Sequence, residues 1–237
     1  MADRDSSDVS RIDEFYSKIA RPYDVFASSV LFRGVRRRAI EQLDLRPGED
    51  LLEVGCGTGG NLPHVASEFG REGTYIGIDV SGGMLARALE RDTPIETHFV
   101  KADATDPPVR GPFDGILVTF VNGVLEDPAI AVDRWLSLLR PGGRLVLLDA
   151  AGRSGPVTPL ELGFRAFVVA VAPPGTRKGL DRSPNEVLVD RVEAAHRQLR
   201  ETADVVHQAT YWRGFVRLTA ATPVPRQSSV VCAGSTT

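Results

Sequence analysis

The sequence predicts a doubly wound α/β fold, a mostly parallel sheet with helices on both faces. Three observations carry this. Between Leu51 and Leu148, short runs of apolar residues alternate with helix-patterned segments, as strands buried on both faces do. The first of these runs ends in a glycine-rich turn, Glu53–Gly60. Near the end, Val205–Tyr211 and Phe215–Ala221 alternate apolar and polar side chains around Arg213-Gly214, the pattern of an antiparallel hairpin.

Taken in order, Val9–Ala20 and Val30–Leu43 read as helices. Ile12, Phe15, Tyr16 and Ile19 recur at helical spacing in the first, and Pro47-Gly48 stops the second. Leu51–Val54 is the first strand and Leu62–Phe69 the helix after it. Tyr75–Ile78 is the second strand, ending at Asp79, and Ser81 caps a helix over Gly82–Glu90. Thr97–Val100 is the third strand, closed by Asp103, and Phe113–Phe120 holds the fourth. Glu126-Asp127-Pro128 starts a helix over Ala129–Leu139, with Ile130, Trp135 and Leu138 facing inward. The Pro141-Gly142-Gly143 turn leads into a fifth strand, Leu145–Leu148. Pro159–Val171 reads as an apolar helix, Pro173–Pro184 as a loop and Asn185–Thr202 as a charged helix before the hairpin.

With 237 residues the chain can bury a substantial core. The net charge of -3 leaves no electrostatic footprint for nucleic acid, so a nucleic-acid partner is not expected. Arg33, Arg36, Arg37 and Arg38 form a basic run that reads as a solvated helix face, with contact to nucleic acid or to an anionic membrane surface as the alternatives. Cys56 and Cys232 make no disulfide framework, and His64, His98, His196 and His207 are scattered without metal-ligand spacing. Met1–Ser10 is polar, without the apolar centre of a signal peptide, and Phe164–Pro173 is too short to span a bilayer. The expectation is a cytoplasmic protein, with peripheral membrane contact left open.

In Glu53-Val54-Gly55-Cys56-Gly57-Thr58-Gly59-Gly60, the glycines permit a tight turn and a close backbone approach to a ligand. Gly55, Gly57 and Gly60 also satisfy the dinucleotide fingerprint, with Asp79 placed to hold a ribose diol. A nicotinamide dehydrogenase is therefore a rival reading. Glu53 and Asp103 argue against it. Acidic groups beside the ligand repel a pyrophosphate and attract a sulfonium cation. The closing hairpin, in place of a second nucleotide-binding half, argues the same way.

These motifs resemble those of the class I S-adenosylmethionine-dependent methyltransferases, nearest to their quinone, small-molecule and lipid branch. Leu52–Gly59 resembles the family's first motif, Gly77-Ile78-Asp79-Val80-Ser81 its second, Ala102-Asp103-Ala104 its third, and Leu138–Leu145 the turn into the fifth strand. The resemblance implies a Rossmann-like seven-stranded sheet with an antiparallel C-terminal strand. It implies S-adenosylmethionine as cofactor and S-adenosylhomocysteine as product. Glu53, Gly55, Cys56, Gly57, Thr58, Gly59, Asp79, Val80, Met84, Asp103, Ala104 and Thr119 are the cofactor-binding candidates it supplies. Asp79 would grip the ribose hydroxyls, Asp103 the adenine amino group, and Ala104 the ring. For Met84, contact with adenine and plain core packing stand even.

Residues 1–45 are expected as a helical lid segment, 46–222 as the α/β domain with 153–184 inserted on the substrate side, and 223–237 as a tail. Asn122, Tyr23, His196 and His207 are the candidates for the catalytic side. Asn122 follows the fourth strand, Tyr23 (with Tyr16) lies in the lid, and the histidines lie in the substrate-facing half as proton acceptors. Phe164, Phe167 and Val168 on one helix read as a second lid lining an apolar acceptor pocket, as a membrane-facing surface or as plain core. Tyr211 and Trp212 could line one too or simply pack. The loop Thr119–Gly123 lacks the Pro-Pro-aromatic signature of base and glutamine amino methylases. The expected acceptor is a small or lipophilic metabolite, quinone-like or phospholipid-like, acted on by a monomer or homodimer. A nucleic-acid or protein acceptor and a non-catalytic scaffold remain the alternatives.

Overall fold

The computed structural model describes residues 13, 14, 17, 30–150, 162–163 and 184–224. Its elements are α1 (Val30–Glu41), β1 (Leu51–Val54), α2 (Leu62–Phe69), β2 (Thr74–Asp79), α3 (Gly82–Leu89), β3 (Glu96–Lys101), β4 (Phe113–Thr119), α4 (Pro128–Leu136), β5 (Leu139–Ala150), α5 (Pro184–Thr202), β6 (Ala203–Tyr211) and β7 (Val216–Pro223). One-turn 3-10 helices, Asn122–Val124 and Trp212–Gly214, follow β4 and β6.

The strands form one seven-stranded sheet in the order β3-β2-β1-β4-β5-β7-β6. β1 to β5 run parallel, and β7 runs antiparallel between β5 and β6. The doubly wound fold and its antiparallel closing strand are as the sequence predicts. Strand order reverses between β1 and β4, so the loops leaving their carboxyl ends diverge to opposite faces and open a crevice there.

The period of two along β5 shows why the sheet needs two layers of helices. Leu145 and Leu147 pack on one face with Ala131, Val132 and Trp135 of α4 and Ala195 and Leu199 of α5. Val146 and Leu148 pack on the other with Phe32, Val35, Ala39 and Ile40 of α1 and Leu62, Val65 and Phe69 of α2. All four β5 side chains are fully buried. Burying a leucine or valine of this kind stabilises by about 1.5–3 kcal/mol.

The helix expected over Ala129–Leu139 ends at Leu136, and the fifth strand begins earlier, at Leu139. Leu139 pairs with Phe113, and Phe113 N–H donates to the Leu138 carbonyl at 2.8 Å. Backbone pairing with β4 outweighs the helical spacing of Leu138 and Leu139. Pro141-Gly142-Gly143 lies within this long strand, at a shift of register between Phe113 and Gly115. Gly142 has φ 81°, and a Cβ on Gly143 would stand 2.8 Å from the Asp114 carbonyl oxygen. Ser81 caps α3 as expected, its Oγ accepting from Met84 N–H at 3.3 Å.

Asp13, Glu14 and Ser17 are helical, in the stretch read as the first helix. The rest of that stretch, Tyr16, Tyr23, the apolar helix with Phe164, Phe167 and Val168 apart from Leu162 and Gly163, the Pro173–Pro184 loop up to residue 183, Cys232 and the tail from 225 onward lie outside the described residues. Among the described residues, no helix is long and apolar enough to cross a membrane, and no group of His, Cys, Asp and Glu could hold a metal ion.

Candidate active site

The glycine turn leaves β1 at the crevice. Gly55, Gly57 and Gly59 all have positive φ, at 68°, 54° and 72°, so every second residue requires a backbone that side chains resist. Their surroundings differ. A Cβ on Gly55 would lie 2.3 Å from Val121 Cγ2, and one on Gly59 2.9 Å from Leu62 Cδ1. A Cβ on Gly57 would meet nothing within 4 Å. The first and third glycines are thus packing requirements, while Gly57 turns an uncluttered backbone toward open space, which is what a bound cofactor needs.

Asp79, at the end of β2, ties the turn to its neighbour. Its Oδ2 accepts from Gly57 N–H at 2.8 Å and its Oδ1 from Ser81 N–H at 2.9 Å. Each carboxylate oxygen keeps a second lone pair, enough for a diol. Burial pushes this carboxyl above its ordinary range, against the pull of those amides. Val80 beside it is half-buried, and Met84 is buried. Asp103 follows β3 and folds its own loop, Oδ1 accepting from Thr105 N–H and Oγ–H, both at 2.8 Å. The Ala104 carbonyl is fixed by Trp135 Nε1–H at 2.8 Å.

Glu53 behaves otherwise than its position beside a ligand suggests. It is 1% exposed, and both its oxygens are engaged beneath the turn. Oε1 accepts from Asn61 Nδ2 at 2.8 Å and Oε2 from Tyr75 O–H at 2.7 Å. Desolvation raises its pKa to about 7, although the two hydrogen bonds and the Arg36 charge pull it down. Any influence on a cationic ligand is therefore exerted through the protein, without direct contact from the carboxylate. Cys56 is likewise buried, its thiol pushed up by desolvation, so its backbone is the part left to meet a ligand. Thr58 is also buried.

The solvated-face reading of the basic run fails at Arg36, which is 7% exposed. Its Nη1 donates to Asn61 Oδ1 at 2.8 Å and to Thr119 Oγ1 at 3.4 Å. Thr119 Oγ1 also accepts from Asn61 Nδ2 at 3.0 Å. Asn61 begins α2 without capping it, because its amide is spent on Glu53, Arg36 and Thr119. Arg36, Asn61 and Tyr75 are residues that sequence reasoning missed. Arg36 had a signal: it lies four residues from Phe32 and from Ile40, on the apolar face of α1. Arg33, Arg37 and Arg38 are exposed, as expected.

Past β4, Phe120 adopts φ 61°, a left-handed backbone unusual for an aromatic residue. Its ring is 5.2 Å from Phe32, and the Arg36 guanidinium lies 5.0 Å over it. Trp212, at the β6–β7 tip, stands 5.4 Å from Phe32 and 6.3 Å from Phe215. The tip pairs with Ala150 through Val216, so this aromatic group lies at the carboxyl end of the parallel strands.

Asn122 and His196 come together around Asp149, which the sequence reading did not single out. Asn122 Nδ2 donates to Asp149 Oδ2 at 2.7 Å, and His196 Nε2 is 3.2 Å from the same oxygen. His196 Nδ1 is 2.8 Å from Thr219 Oγ1. All four side chains are at most 1% exposed. His207 is elsewhere. It pairs with Ala220 opposite Val146, four residues short of the Ala150 end, on the edge strand β6. The structure does not bring it to the crevice. His64 is half-buried on α2 and His98 exposed on β3.

Comparison with known proteins agrees with this geometry. Residues 51–143 match a family model described as a methyltransferase domain. Nocamycin O-methyltransferase of Saccharothrix syringae is 38% identical over 62% of this chain and 51% of its own length, so the chain spans about half of that relative. A demethylmenaquinone methyltransferase of Beutenbergia cavernae is 29% identical over 90% of this chain and 85% of its own. Among solved structures, geranyl diphosphate C-methyltransferase of Streptomyces coelicolor superposes with TM-score 0.59 at 14% identity, covering 81% of this chain and 79% of that one. At that identity the likeness speaks for the fold alone. Sheet order, glycine turn, acidic strand ends and relatives converge, and the chain belongs to the class I S-adenosylmethionine-dependent methyltransferase family.

Proposed function

We propose that this protein transfers a methyl group from S-adenosylmethionine to a small lipophilic metabolite, with a quinone-like or other aromatic ring as the favoured acceptor. The observation that carries the cofactor half is Gly57, a left-handed glycine facing open space and latched to Asp79. When bound, S-adenosylmethionine supplies an already activated methyl group, so the protein's task is alignment and exclusion of water. Asp79 would hold the ribose diol on its remaining lone pairs. Asp103, Val80, Met84 and Ala104 would bracket the adenine, with Trp135 steadying the Ala104 backbone. Gly55, Cys56, Thr58 and Gly59 would shape the turn, and Thr119 with Asn61, Arg36 and Glu53 would hold it rigid from below.

On the acceptor side, Phe32, Phe120, Trp212 and Phe215 form an aromatic group at the carboxyl ends of the strands. Phe32 and Phe215 are buried supports, and a flat ring stacking on the partly exposed Phe120 or Trp212 gains about 0.5–1.5 kcal/mol beyond area burial. The relative named for demethylmenaquinone supports a quinone-like acceptor, and the O-methyltransferase named for nocamycin supports a small-molecule one. Asn122 is the group we assign to orient it, and Tyr23 is retained as a lid contact. His196, already spoken for by Asp149 and Thr219, would act through its neighbours.

Calorimetry tests the cofactor assignment. S-adenosylhomocysteine is expected to bind below millimolar concentration while nicotinamide dinucleotide does not. Gly57→Arg, which would fill the open space, and Asp79→Ala should each weaken binding severely. Undiminished binding in both variants would refute the site.

A further inference from the structure

The geometry points to Asp149 as the residue that decides which kind of acceptor Asn122 can hold: one presenting an O–H or N–H donor, and not one presenting only hydrogen-bond acceptors. This rests on the methyltransferase reading above and adds the chemistry of the second substrate.

Asn122 lies on the crevice side of the sheet by two contacts of its neighbours. Val121 packs against the first glycine of the turn, 2.3 Å from where a Gly55 Cβ would be, and Gly123 packs against Leu188 of α5. Asn122 therefore sits between the cofactor turn and α5, immediately after β4. An asparagine amide offers a carbonyl oxygen on one side and an NH2 on the other, and either could face a ligand. Asp149 removes the choice. Asp149 Oδ2 accepts, with the His196 ring nitrogen on the same oxygen, so the edge that meets it at 2.7 Å is the NH2. Turned the other way, the amide would set two oxygens against each other in a site 0–1% exposed.

His196 reinforces the arrangement. Its Nε2 lies 3.2 Å from the same Asp149 oxygen, and its Nδ1 is 2.8 Å from Thr219 Oγ1. Nε2–H donates to the carboxylate, and Nδ1 faces the Thr219 hydroxyl. Two donors thus converge on one oxygen of Asp149, which leaves no room there for the amide oxygen of Asn122. What remains is Asn122 Oδ1, buried and without a hydrogen-bond partner. Orphaned buried carbonyls are uncommon, and one next to a cofactor turn, with its direction enforced by a buried carboxylate, has the character of a ligand contact. The partner it calls for is a donor, such as a phenol, an enol or a hydroquinone. Asp149 is then a positioning residue, and Asn122 the group that touches the acceptor.

Two ligands of the same ring, one with an O–H donor and one without, test this. Binding of 1-naphthol and of its methyl ether, 1-methoxynaphthalene, is measured calorimetrically on the protein saturated with S-adenosylhomocysteine. Wild type is expected to favour the naphthol by about tenfold, the value of one buried hydrogen bond. Asp149→Asn frees the amide to turn over and should bring the ratio below about threefold. Asn122→Leu leaves the Asp149–His196 pair in place and should bring it to about one, which covers the case in which Asp149→Asn does not fold. Wild type that binds the naphthol no better than the ether, or a ratio that survives either substitution, overturns the inference. Failure of S-adenosylhomocysteine to bind at all would instead refute the methyltransferase reading and take this inference with it.

Discussion

Replacing Glu53 by glutamine tests whether the buried carboxylate is held at a cost to stability. The amide is nearly isosteric. Its oxygen can accept from Asn61 Nδ2, and its NH2 can donate to Tyr75 Oη once that hydroxyl turns, so both hydrogen bonds survive. What disappears is the charge. An acid with its pKa raised from 4.5 to about 7 binds its proton more tightly in the native state. Native stability from this group is thus greatest below about pH 4.5, declines as pH rises, and levels off above about 7. A shift of this size corresponds to about 3 kcal/mol over the whole window. Urea unfolding of the cofactor-free protein at pH 5 and pH 8 reads it as a difference between the two proteins. Near pH 5 they should be of similar stability, and by pH 8 Glu53→Gln should be the more stable by about 2–3 kcal/mol. The difference between them cancels other titrating groups, Asp79 among them. Parallel pH profiles would refute the reasoning, because they would mean that Glu53 is not desolvated. A second reading follows from the same charge. Affinity for cationic S-adenosylmethionine relative to neutral S-adenosylhomocysteine should rise through pH 7 in wild type and stay flat in Glu53→Gln.

Two other substitutions separate packing from ligand binding. Gly55→Ala combines a left-handed alanine with a collision against the short, branched Val121, and should cost about 2–4 kcal/mol by urea unfolding. Adding Val121→Ala should recover part of that loss, and the absence of any recovery would show the clash to be irrelevant. Trp135→Phe removes the donor to the Ala104 carbonyl and should cost about 1–3 kcal/mol, with weaker S-adenosylhomocysteine binding in calorimetry. Unchanged binding would mean that the Ala104 loop does not touch the cofactor.

Local chemistry determined much of this protein from the sequence alone. Strand–helix alternation, the turn glycines and the Ser81 cap depend on residues close together in the chain, and their rules are backbone conformation and periodicity. The doubly wound sheet, its antiparallel closing strand and the glycine turn could therefore be read directly. The start of β5 at Leu139 could not, because a pairing with Phe113 overrode the helical pattern of Leu138 and Leu139. Only the tertiary structure decided what the polar groups do. Asn61 and Tyr75 reach Glu53, with Arg36 and Thr119 bonded to Asn61 behind them, and Asp149 reaches Asn122, with His196 and Thr219 lined up behind it. Burial and hydrogen bonding across such separations are set by packing, which spacing along one helix or strand does not encode. Glu53 is the plainest case: its carboxylate beside a glycine turn announced a cofactor end, and the fold turned that carboxylate inward, onto an asparagine and a tyrosine beneath the turn.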